Sequence, residues 1–160
     1  MHRSSVKKIV QYYYGIPEMV RLLRAEKREK ENLYNTLKGA GGGMPGGGAP
    51  GKPVEAAVER LDDLGVWERL QEIAVRLTVL ESDAATVRGC MDGLSGKYKR
   101  IIQMRHQFGY SWTKISVRMG TPDSTARSWH DKAIVCLGDA LDEAPMWEEL
   151  LARASRARTS

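Results

Sequence analysis

Cysteine is nearly absent from this chain. Cys90 and Cys136 are the two thiols in 160 residues, and neither has a CxxC partner or a histidine at ligand spacing. That argues against a structural or catalytic metal and leaves buried free thiols as the default. Aromatic content is low, with one Phe, and clusters of β-branched residues are few. Leu, Ala, Glu, Arg and Lys dominate the stretches between breakers, which speaks against a sheet-rich core and favours an all-α fold. Long apolar runs are missing too, and Met1 to Tyr14 lacks the apolar centre of a signal peptide. No membrane partner is therefore expected, and a cytoplasmic location is. No nucleophile–base pair or carboxylate cluster emerges, so neither an enzyme nor a cofactor is expected. The length suits one modest domain, or a small domain with an extended helical element.

The net charge of +5 is unevenly spread. Residues 1–53 carry ten Lys/Arg against four Glu, and residues 54–94 carry four Arg against nine acids. Residues 95–132 then carry eight Lys/Arg against two Asp, and residues 133–160 three Arg against five acids. A basic run is usually a solvated face. Here its strongest concentration coincides with a motif that needs positive charge for phosphate contacts.

Five segments follow from periodicity and breakers: an N-terminal helix (1–38), a Gly-rich flexible linker (39–52), a long heptad-patterned helix (53–94), a helix-turn-helix domain (95–141), and a C-terminal amphipathic helix with a basic tail (142–160). Residues 1–15 are polar and Tyr-rich, with no firm structural signal. Pro17 suits the first turn of a helix whose apolar face begins with Ile16, Met19, Val20 and Leu23, continues through a charged middle (RAEKREKEN), and resumes at Leu33, Tyr34 and Leu37. Within the linker, Gly46 to Lys52 formally fits GxxxxGK. Pro53 stands where a magnesium-binding Ser/Thr is needed and no strand precedes it, so nucleotide binding is rejected. Pro53 opens a helix with Val54, Ala57, Val58 and Leu61 inward, bent or interrupted near Gly65. Beyond it, Val66, Leu70, Ile73, Leu77, Leu80, Ala84, Val87, Met91 and Leu94 alternate in steps of four and three, as in a coiled-coil seam. The seam has two candidate partners: the Pro17–Lys38 helix in an intramolecular hairpin, and a second subunit in a homodimer through residues 66–94.

The most informative stretch is Ile115 to Ile134. Ile115 and Met119 give the first helix its inward face, and Gly120 ends it, since only a residue without Cβ takes a left-handed conformation cheaply. Pro122 separates it from a second helix in which Ala126, Trp129 and Ala133 point inward and Ser124, Arg127, Ser128 and Asp131 outward. Ser111 is placed to cap the first helix. A preceding helix runs from about Lys97 to Gln107, with Tyr98, Ile101, Ile102 and Met104 apolar, and is closed by Gly109. This is the layout of a helix-turn-helix whose second helix enters the DNA major groove. The bland alternative is an ordinary helical hairpin in a bundle.

Leu94 to Leu137 resembles the fourth conserved region of sigma-70-type transcription initiation factors. The frame is Met104-Arg105-His106, Ile115-Ser116, Met119-Gly120, Ala126-Arg127-Ser128 and Lys132-Ala133-Ile134 with Leu137, ungapped from Ile115 onward. The Gly109-Tyr-Ser-Trp112 lead-in is similar to sigma-like proteins of phages and prophages of Gram-positive bacteria. The whole layout loosely resembles late-gene regulators of the RinA/ArpU type. The resemblance implies double-stranded DNA as a partner, host RNA polymerase as a further one, and no catalysis.

Carried over position by position, the resemblance puts Asp123, Ser124, Arg127 and Ser128 on the base-reading face. Of these, Arg127 alone keeps the family's residue type. An arginine there can fork onto a guanine's O6 and N7, worth roughly 1–3 kcal/mol of discrimination, or contact phosphate, or stay solvated. Arg105, Ser111, Trp112, Lys114 and Lys132 match positions that touch the DNA backbone. Ser116 replaces a usual Ala at the tight helix contact and is expected to bond back to its own helix. His130 is expected to be an exposed helix histidine near DNA, and Trp129 to be core. Two rival classes share these features: a phage small terminase subunit, which packages DNA as a large ring, and a polymerase-binding interaction module with a degenerate domain.

Overall fold

The computed structural model describes residues 1–40 and 52–157. Most of the expected Gly-rich linker, the last residues of the basic tail, and the side chains of Leu37, Val54, Val58 and Leu61 lie outside what is described. The described residues form α1 (Arg3–Ala40), α2 (Lys52–Asp63), α3 (Val66–Asp92), α4 (Gly96–Ile102), a π-helical turn (Gln103–Gln107), α5 (Trp112–Met119), α6 (Asp123–Asp142) and α7 (Trp147–Ala157), with no strand among them. The fold is all-α. No helix among the described residues is long and apolar enough to cross a membrane.

The chain divides into two compact units, Met1–Ile16 with Glu81–Ser160, and Pro17–Leu80. In the second, α1 runs antiparallel to α2 and α3. Glu26 accepts from Arg69 Nε and Nη2 at 2.8 and 3.0 Å, while Tyr34, further along α1, donates to Asp62, earlier in the chain than Arg69. The Arg69 guanidinium, with Lys30 in support, holds the Glu26 carboxyl down at about 2. The heptad residues Val66, Ile73 and Leu80 are buried here together with Leu23 of α1. The heptad-patterned stretch over 53–94 is interrupted near Gly65, as its sequence suggests: Gly65, at φ +69°, takes a conformation that favours glycine and separates α2 from α3.

In the other unit the first sixteen residues, which carry no firm structural signal of their own, are helical from Arg3 onward. α1 begins at Arg3, and Pro17, expected in a first helical turn, lies inside it. An internal proline removes a backbone bond and costs about 3 kcal/mol or more. Val6, Ile9, Val10, Tyr12 and Ile16 are all buried, and full burial of one aliphatic side chain contributes roughly 1.5–3 kcal/mol, so packing overrides the breaker. The same unit also buries Val87 and Met91 of α3, Ile101 and Ile102 of α4, and Ile134, Leu137 and Leu141 of α6. Gly138 lets α1 approach α6 closely: a Cβ there would stand 3.0 Å from a Val6 methyl.

A buried carboxylate ties three helices of this unit together. Asp83 of α3 accepts from the Tyr12 hydroxyl of α1 at 2.7 Å and from Arg153 of α7 through Nε and Nη2 at 2.7 and 2.6 Å. Burial raises the Tyr12 pKa, and the Asp83 hydrogen bond raises that of Arg153. The thiols depart from expectation: Cys90 is half-buried and Cys136 exposed.

Candidate nucleic-acid interface

The turn between α5 and α6 is built by local chemistry. Ser111 caps α5 by accepting from the Lys114 N–H at 3.2 Å. Gly120 closes it at φ +64°, with its own N–H bonded to the Val117 carbonyl and the Thr121 N–H to the Ser116 carbonyl. That reciprocal pair satisfies carbonyls the helix end would otherwise leave open. Ser116 does not bond back to its helix as expected. Its hydroxyl donates forward to the Thr121 carbonyl at 2.5 Å, which fixes the turn rather than the helix. Pro122, extended, is the N-cap of α6, and Asp123 follows at the positive end of the helix dipole.

Helical spacing then sorts the side chains of α6. Ala126, His130, Ala133, Ile134 and Leu137 are buried, and Ser124, Arg127, Ser128, Asp131 and Lys132 form an exposed stripe. The stripe lines an open cleft of about 750 Å³, with Arg3 of α1 and Tyr98 of α4 also in its wall. Thus Ser124, Arg127, Ser128 and Lys132 share one surface, with Asp123 exposed just ahead of them.

The other sequence-assigned residues meet around an aromatic platform. The Trp112 ring carries two guanidiniums, Arg105 at 4.8 Å and Arg127 at 5.3 Å, and packs edge-on against His130 at 5.2 Å. Arg105 also donates to the Tyr110 carbonyl at 2.9 Å. The π-helical turn makes this possible: closing on Gln103 through the Phe108 N–H, it aims Arg105 at the α5 lead-in while Met104 stays buried. Lys114 and Arg118 lie over the Tyr110 ring at 4.0 and 5.1 Å, and Tyr110 in turn stacks on Phe108 at 5.5 Å. Each exposed pair of this kind is worth roughly 0.5–1 kcal/mol, enough to restrict a long cationic side chain without hiding its charge. Arg105 and Trp112 therefore hold other residues in place, and Ser111 is engaged as a cap.

Two further residues differ from their sequence reading. His130 is buried, 4% exposed, not on the outer face. Its Nε2 lies 2.8 Å from His106 Nε2, so one imidazole donates to the other and both are neutral. Burial is the main cause pushing each down to about 4, with the nearby cations Lys7 and Arg105 adding to it and Asp131 opposing it at His130. Trp129 is half-buried, with the Lys97 ammonium 4.1 Å above its ring, rather than core. Sequence reasoning passed over Tyr110, although Lys114 and Arg118 follow it at helical spacing. It also passed over Arg3, for which no local signal exists.

This geometry defines a class: a helix-turn-helix with a cation-rich outer face. Residues 84–137, about a third of the chain, match the family described as Sigma-70, region 4. That segment is a sigma-70 region 4 domain, a DNA-binding and non-catalytic type whose members bind DNA and RNA polymerase. The match begins inside α3, so the domain takes in the last turns of the heptad helix, where Val87 and Met91 are buried. Comparison of the chain with curated proteins and with solved structures found no match.

Proposed function

We propose that this chain is a sequence-specific transcriptional regulator of phage or prophage origin that works with host RNA polymerase, in the manner of RinA/ArpU-type late-gene regulators. The observation that supports it best is Arg127, exposed on the outer stripe of α6 and braced against Trp112 at 5.3 Å. A braced guanidinium loses less freedom on forking onto a guanine, so Arg127 is the base reader, flanked by Asp123, Ser124 and Ser128. Arg105, Ser111, Trp112, Lys114 and Lys132 form the backbone-contacting edge. Self-association through residues 66–94 belongs to the same reading. Because Val66, Ile73 and Leu80 are buried within one chain, a second copy would meet the exposed Trp67 and Val75 instead.

The test is a binding selection from a random-sequence DNA pool, followed by footprinting upstream of phage late or packaging genes. Arg127→Ala should relax preference at one base pair by roughly 1–3 kcal/mol, while Lys132→Ala should weaken all sequences alike. Failure to enrich any motif would favour the polymerase-binding module. A ring of eight or so subunits in solution would favour the packaging adaptor, as roughly expected of a closed cyclic assembly.

A further inference from the structure

We infer that Arg3, at the start of α1, is a DNA-backbone contact that extends the interface beyond the helix-turn-helix. The inference rests on the DNA-binding reading above. Arg3 is exposed and lines the same cleft as Arg127 and Lys132, although more than a hundred residues separate it from them in the chain. Its position is set by packing. Val6, one turn further along α1, is fully buried against Gly138 of α6, where a Cβ would come within 3.0 Å of it. Lys7, one turn on from Arg3, lies close enough to act electrostatically on both His106 and His130. The start of α1 thus adds positive charge alongside α6.

Three cations, Arg3, Arg127 and Lys132, face one carboxylate, Asp131, around the cleft. That balance fits a polyanion. The stripe from Ser124 to Cys136 spans about 18 Å at helical rise, longer than the roughly 12 Å width of a major groove. With the first turns of α6 on the base edges, the far end of the cleft reaches the groove wall, where phosphates stand. α1 meets α6 at Gly138, beyond that far end, which puts Arg3 on the phosphate side rather than on the bases.

The experiment measures binding of the full chain to a fluorescently labelled random-sequence duplex across a salt series. Arg3→Gln should lower the slope of log K against log salt by about 0.9, the release expected for one phosphate contact, and Arg3→Lys should restore it. Lys132→Ala serves as the reference for a backbone contact within the helix-turn-helix, and unchanged circular dichroism shows the fold intact. If Lys132→Ala lowers the slope and Arg3→Gln leaves it at the wild-type value, the role of Arg3 is overturned and the DNA-binding reading stands. If the wild-type chain shows no salt-dependent binding, the reading itself fails and takes Arg3 with it.

Discussion

The buried imidazole pair makes acid stability the sharpest physical test of this fold. In the folded chain His106 and His130 share one hydrogen bond at 2.8 Å, and each titrates near a pKa of about 4, chiefly because burial disfavours the charged ring. In the unfolded chain both return to about 6.5. Between those values the unfolded state binds protons that the folded state refuses, so stability rises with pH across the window. The contribution is fully present above about pH 6.5 and is lost as pH falls toward about 4. For His130, 4% exposed, the shift corresponds to at most roughly 3 kcal/mol, a large part of the stability of a small domain. His106 is partly exposed and shares the same bond, so it adds less. Urea unfolding followed by circular dichroism at about pH 7.5 and pH 4.5 reads the difference, and the window lies above that of the Glu26 carboxyl, held down at about 2. His130→Gln keeps a polar partner for His106 but does not titrate, so its stability should depend on pH by about 2–3 kcal/mol less than wild type. Equal pH dependence in the two proteins, or imidazole resonances titrating near 6.5 in the folded state, would refute the reasoning.

Two further outcomes concern the scaffold. Arg153→Met removes the bidentate partner of the buried Asp83 and should cost about 3 kcal/mol in chemical unfolding, because it leaves a carboxylate uncompensated in the interior. Pairing it with Asp83→Leu should recover much of that loss; a single variant as stable as wild type would show that the pair holds nothing. Gly138→Val forces methyl groups into the Val6 side chain, already 3.0 Å from a bare Cβ, and should cost about 1–3 kcal/mol by thermal denaturation. By the same displacement of α1 it should reproduce the salt slope of Arg3→Gln, and an unchanged melting temperature would mean that α1 and α6 are not tightly packed there.

What short-range chemistry controls was legible in the residues themselves. The Ser111 cap, the left-handed Gly120 and the extended Pro122 depend on backbone preferences acting over three or four positions, so the α5–turn–α6 layout could be read without a neighbour in view. Helical period likewise sorted Ala126 and Ala133 from Ser124, Arg127 and Ser128, since a 3.6-residue repeat turns like residues to one side. Tertiary structure decided the rest. The polar appearance of residues 1–15 hid Val6, Ile9 and Val10, whose spacing acquires meaning only once the folded unit buries them, Val6 beside Gly138 of α6. A lone histidine on a helix reads as solvated until a second imidazole, 24 residues away, supplies its hydrogen bond and permits burial. Arg105 and Trp112 look like independent DNA contacts in sequence, yet the π-helical turn joins them into a support for Arg127. Arg3 lines the same cleft because α1 packs on α6 at Gly138. Local backbone chemistry determines which helices form and where they turn; long-range burial decides which of their side chains share a surface.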